Sequence, residues 1–147
     1  MARNPTKMLE LPMRDEAARR VERLRQRRFE QLVARALQSL PPHVLAMLDN
    51  VEVVVEDEPT AEQVGLAAAD GEADDSLFGL YEGVPLGMRG TGYTMVLPDR
   101  ITLFRGPLER SCRSPAALAR EVRTTVLHEL GHHLGFGEER LEELGLG

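Results

Sequence analysis

Apolar residues fall at Phe29, Leu32, Val33, Ala36, Leu37 and Leu40. This is the i, i+3, i+4, i+7, i+8, i+11 spacing of one helix face. The helical pattern begins further upstream, at Asp15, with mostly Arg and Glu. Residues 1–14 hold Pro5 and Pro12, show no periodicity, and read as a tail. Pro41-Pro42 ends the helix, and His43 to Leu48 form a short helical turn behind it.

The pattern then changes to strands. Val51-Glu52-Val53-Val54-Val55 is β-branched and predicts a strand. Pro59 to Asp75 is rich in Ala, Gly and Asp and reads as a loop, with a helical turn near Thr60 to Val64. Leu77 to Tyr81 predicts a second short strand. Gly83, Pro85, Gly87, Gly90 and Gly92 then form a wide turn or lip without the spacing of a phosphate loop. Tyr93 to Leu97 predicts a short strand and Ile101 to Phe104 a clearer one, which Gly106-Pro107 ends.

Ser114-Pro115 is a helix start, with Ser114 as N-cap and Pro115 at the first helical position. The helix runs to Leu134 and stops at Gly135. Glu138 to Leu144 predicts a short last helix. At about 100° per residue, Leu118, Ala119, Val122, Val126, Leu130 and Leu134 gather on one side of the long helix. Glu121, Thr125, His128 and His132 lie on the other.

Composition narrows the class. The 147 residues suit one domain, and 42% hydrophobic residues suffice for a core. With 4% aromatics and no Trp, that core is built from Leu, Val and Ala. No apolar run approaches the roughly 20 residues that span a bilayer, and the first residues lack a signal-peptide core. Cys112 is the single cysteine, which excludes an intrachain disulfide and a multi-cysteine metal cage. It has no triad-like partner and reads as inert. The expectation is a soluble, cytoplasmic protein with its thiol reduced.

The net charge of −6 is unevenly divided. Residues 1–38 carry ten Lys/Arg against five acids, and the remainder eight Arg against nineteen acids. The basic segment reads as a solvated helix face, with RNA or an acidic partner as the alternative. Asp49 to Asp75 carries ten acids and no base. Without EF-hand spacing it reads as solvated too.

Residues 128–132 read His128-Glu129-Leu130-Gly131-His132, an HExxH motif. Positions i and i+4 lie one turn apart on one helix face, so two imidazoles can converge on one cation. Glu129, on the adjacent strip, can take a proton from water bound there and return it to a leaving amine. Zinc suits imidazole and carboxylate ligands, with Fe, Co or Mn as alternatives.

A catalytic zinc site usually has three protein ligands. Only fifteen residues follow His132, which leaves little room for a ligand on a distant later helix. The run HELGHHLGFGE places Gly135 at a turn and Glu138 where the chain comes back. Glu138 is the expected third ligand, with Glu139 and Glu142 as alternatives. His133 points about 100° away from His132, toward the apolar side, and is expected to hydrogen-bond nearby backbone rather than a metal. His43 is expected to be structural or exposed. Tyr81 and Tyr93 are read as packing residues, with oxyanion stabilisation as the alternative. Glu121 and Thr125 are placed to orient His128.

Three blocks, SLFGLYEGVPL at 76–86, LPDRITLFRGPLER at 97–110 and TVLHELGHHLGFGEERLEELG at 125–145, resemble the small bacterial zincin-like metallopeptidases. The likeness covers residues 28–147 and leaves 1–27 as a basic, partly helical extension. It implies an α+β minimal zincin fold: a short twisted mixed sheet, a backing helix, an active-site helix and a short C-terminal helix. The family motif is HExxHxxGxx followed by Asp or Glu. It implies metal roles for His128, His132 and Glu138, one zinc per chain, and the base role for Glu129.

The expected function is a zinc-dependent peptidase acting on peptides or unfolded protein, at an open, shallow site. The strand near Leu77 to Tyr81 is expected to be an edge that pairs with an extended substrate. One rival is a metal-dependent endoribonuclease, disfavoured because residues 39–147 are net acidic by eleven charges and repel RNA. The other is a metal-loaded regulatory module that cuts one specific partner or none. No membrane association is expected.

Overall fold

The computed structural model describes residues 5–69, 71, 77–83, 99–134 and 138–143. Side chains are described from residue 15 on, and in the last segment at 139, 142 and 143. The expected lip beyond Gly83 and the expected strand Tyr93 to Leu97 lie outside these residues.

In chain order the elements are α1 (Pro5–Gln38), α2 (Pro42–Met47), β1 (Val51–Glu56), α3 (Ala61–Ala69), β2 (Gly79–Glu82), β3 (Asp99–Phe104), α4 (Arg105–Ser111), α5 (Pro115–His133) and α6 (Glu138–Glu143). The strands form one mixed sheet in the order β1-β3-β2. β1 runs parallel to β3, pairing Val53 with Ile101. β2 runs antiparallel to β3, pairing Tyr81 with Ile101. The architecture is the α+β arrangement expected from the sequence.

The period-two alternation of β3 separates two cores. Ile101 and Leu103 face α1 and α5, where they pack with Phe29, Val33, Ala36, Val122 and Val126. Phe104 faces the opposite way, with Leu80 and Ala67 of α3. The sheet is thus covered on both faces, and central β3 is the most buried strand.

Three helices differ from expectation. α1 already begins at Pro5, so the tail reading fails for residues 5–14. Pro5 occupies the first helical position, where a missing N–H costs nothing, and Lys7 to Leu11 favour helix. α3 extends well past the expected turn. Its start is a capping box: Gln63 N–H donates to Thr60 Oγ1 at 3.1 Å, and Thr60 N–H donates to Gln63 Oε1 at 2.8 Å. β3 ends at Phe104, just before Gly106-Pro107, and the chain passes directly into α4, a helix that the sequence pattern does not predict. Pro107 lies in the first turn of α4, where no intrahelical N–H bond is lost.

The expected start of α5 is present: Ala117 N–H donates to Ser114 Oγ at 3.1 Å. Leu134, assigned to the apolar face, is the C-cap and is 44% exposed. α1 crosses residues 27 and 28 without a break. What changes there is burial: residues 15–25 are exposed, and the buried stripe begins at Phe29. Arg105, itself buried, ties the exposed half of α1 to the domain. It pairs with Asp57 at 3.0 Å and also with Glu22.

Among the described residues no helix is long and apolar enough to cross a membrane.

Candidate metal centre

The last turns of α5 carry His128 and His132 on one face, as their spacing requires. Their Nε2 atoms are 3.1 Å apart, and the rings meet edge to face with centroids 4.5 Å apart. At that gap one ring can donate its N–H to the other's lone pair, or both lone pairs can face one cation. Two nitrogens about 2.0–2.1 Å from one tetrahedral ion stand about 3.3 Å apart, so this donor pair fits zinc.

Glu129 lies next to them but is turned inward and is 5% exposed. Its Oε2 accepts the main-chain N–H of Tyr81 at 3.2 Å. The geometry of β2 explains this reach. Phe104 N–H donates to Phe78 O at 2.9 Å, and that pair sets the alternation along the two strands. The main-chain groups of Leu80 and Glu82 face β3, whereas those of Gly79 and Tyr81 face away from it. Among the described residues no strand pairs on that outer side. The carboxylate of Glu129 therefore caps one outward amide of an edge strand.

The approach of β2 to α5 depends on Gly79. A Cβ there would lie 2.7 Å from Thr125 Cγ2 and 3.1 Å from Thr102 O. Thr125 is buried, with its methyl group toward Gly79, so it supports the strand rather than orienting His128. Glu121 lies two turns from His128, and its charge acts on Cys112.

His133 differs from expectation. It finds a side chain rather than backbone, and it is 35% exposed. Its ring stacks on Tyr81, with centroids 4.0 Å apart and planes 11° from parallel. Its Nε2 is 3.4 Å from Asp99 Oδ2. The Tyr81 hydroxyl donates to the same oxygen at 2.7 Å. Asp99 is buried, at 8% exposure. Tyr81 thus packs, as expected, but it also joins Asp99 and His133 on one side to Glu129 on the other. Asp99 was not legible as part of this cluster. A carboxylate at the head of the apolar run ITLF was the available signal.

Glu138 opens α6, which follows α5 in the chain and contacts it. Its side chain lies outside the described residues. Glu139 and Glu142, the alternatives, are exposed. Among the described side chains no third His, Cys, Asp or Glu completes a group with the two histidines. His43 is exposed on α2. Cys112 is a free thiol. Burial, assisted by the charge of Glu121, pushes its pKa up and keeps it protonated.

Residues 48–147 match the family model described as zincin-like metallopeptidase. No curated protein matches the chain.

Proposed function

The chain belongs to the zincin-like metallopeptidase family, and from that premise we propose that it is a zinc-dependent peptidase centred on α5. His128 and His132 hold the metal, Glu138 supplies the third ligand, and Glu129 is the general base. Zinc, when bound, polarises the scissile carbonyl and acidifies water. Glu129 accepts the proton of the attacking water and delivers it to the leaving amine. The Tyr81 amide holds the Glu129 carboxylate in place between these two transfers. The outward main-chain groups of Gly79 and the outward carbonyl of Tyr81, whose N–H is taken by Glu129, offer an extended peptide an edge to pair with.

The observation that carries this reading is the pair of imidazole nitrogens 3.1 Å apart beside a buried carboxylate. Imidazoles fixed in this way are suited to a cation, and a carboxylate next to them is suited to proton transfer. The residues supporting the base come from another element, which is how a catalytic group is held rigid.

The test uses purified chain with an unstructured casein-like substrate and, in parallel, RNA, each with and without chelator. Peptide cleavage that the chelator stops and that Glu129→Gln abolishes, with metal content unchanged, is the expected result. RNA cleavage with casein intact would instead favour a ribonuclease. Full activity in Glu129→Gln would exclude the base role. Elemental analysis of His128→Ala and Glu138→Ala, with less metal expected in both, tests the ligands.

A further inference from the structure

A groove of about 460 Å³ lies between α1 and α5, away from the histidine face. Arg123, on its α5 wall, is about 140° around the helix and about 7.5 Å along it from His128. Three guanidiniums line the groove: Arg28 and Arg35 from α1, and Arg123 from α5. Among the described residues none of them pairs with a carboxylate. Arg123 Nη1 instead donates to Ser39 Oγ at 3.3 Å. By contrast, Arg100, Arg105 and Arg110 each face an acid.

None of the three groove arginines has Asp or Glu at i±3 or i±4, the positions that reach it along its own helix. Three cations that face no acid thus share one hollow, in a protein with 24 acids and a net charge of −6. The hollow itself is not polar throughout. Leu32, Ala36 and Ala119 also line it, as does the amide-bearing Gln31. The first turn of α5 also opens here, adding the positive end of its dipole.

We propose that this groove binds an acidic polypeptide segment of a partner protein. Carboxylates would meet the three guanidiniums, which take them bidentately, while short apolar side chains cover Leu32, Ala36 and Ala119. Arg28 and Arg35 are two helical turns apart, about 10.5 Å. Acids three residues apart on a polyproline II segment lie on one face, separated by about 9 Å, which is close to this spacing. RNA fits less well. Among the described residues that line it there is no aromatic ring on which a base could stack, and phosphates gain nothing from its apolar side chains. The site requires nothing of the chemistry at Glu129.

Fluorescence anisotropy with the full chain tests this. The probes are a labelled peptide of Ala and Leu with Glu at every third position, its Gln counterpart, and an oligouridylate of equal charge. Saturable binding of the Glu peptide is expected, weaker by about tenfold or more for the Gln peptide and for the Arg28→Gln/Arg35→Gln variant. Arg123→Gln, from the opposite wall, should show the same loss. Arg19→Gln/Arg20→Gln, which removes equal charge from the exposed part of α1, should bind like the parent. Circular dichroism confirms that each variant is folded. Equal losses in the Arg19/Arg20 variant, equal binding of the Gln peptide, tighter binding of the oligouridylate, or no saturable binding would each overturn the proposal.

Discussion

The main-chain N–H of Tyr81 donates to Oε2 of Glu129 at 3.2 Å, across 48 residues of sequence. The amide belongs to a strand that lies at the sheet edge among the described residues, and the carboxylate to the helix that carries both histidines. One bond therefore fixes the proposed base relative to the strand on which a substrate would lie. The side chain of Tyr81 is held in turn by Asp99 and His133, so the strand end is gripped from both sides.

Tyr81→Phe removes the hydroxyl that reaches Asp99 but keeps the ring and the amide. A buried carboxylate then loses a donor, which costs about 1–2 kcal/mol by urea denaturation. If the base is positioned through this strand, kcat falls several-fold while KM changes little. An unchanged kcat would show that the ring's anchor does not reach Glu129.

Gly79→Ala places a methyl 2.7 Å from Thr125 Cγ2. One of the two elements must shift, and overpacking of this kind costs about 1–3 kcal/mol. Thr125→Ser deletes the opposing methyl, so in the double variant much of the stability returns. A double-mutant cycle measures the coupling directly. Additive losses would mean that β2 moves for another reason.

Thr102 Oγ1 has no hydrogen-bond partner among the described residues, in a side chain with 0% exposure. Val has the same shape without the hydroxyl. Thr102→Val should therefore stabilise by about 1 kcal/mol, since an unmatched buried hydroxyl pays desolvation for no return. Calorimetry should register this as a Tm raised by about 2–4 °C.

Cys112 should alkylate slowly. Burial raises its pKa, with Glu121 adding to the effect, so its thiolate fraction at pH 8 lies below that of free cysteine. Its rate with iodoacetamide should climb only as pH rises through this elevated pKa. A rate at pH 8 equal to or above that of free cysteine would contradict it.

The elements that follow local rules were legible. The apolar stripe from Phe29 to Leu40 is buried along α1, and Ser114 caps α5 as its position demands. α3 and α4 were harder because competing signals meet there. An Ala- and Asp-rich run with a glycine resembles a loop, yet the Thr60–Gln63 box starts a helix. Gly106-Pro107 resembles a stop, although the first helical turn tolerates both residues.

The two histidines are neighbours because of helix pitch alone, since residues i and i+4 of any α-helix share a face. Their convergence could therefore be read directly from the order of residues. The contacts of Tyr81, Asp99 and Glu129 have no such period. They depend on which strand lies at the sheet edge, on its register against β3, and on a glycine that lets it settle on α5. Those choices are made by packing between distant segments, and the convergence of Arg28, Arg35 and Arg123 on one groove arises in the same way.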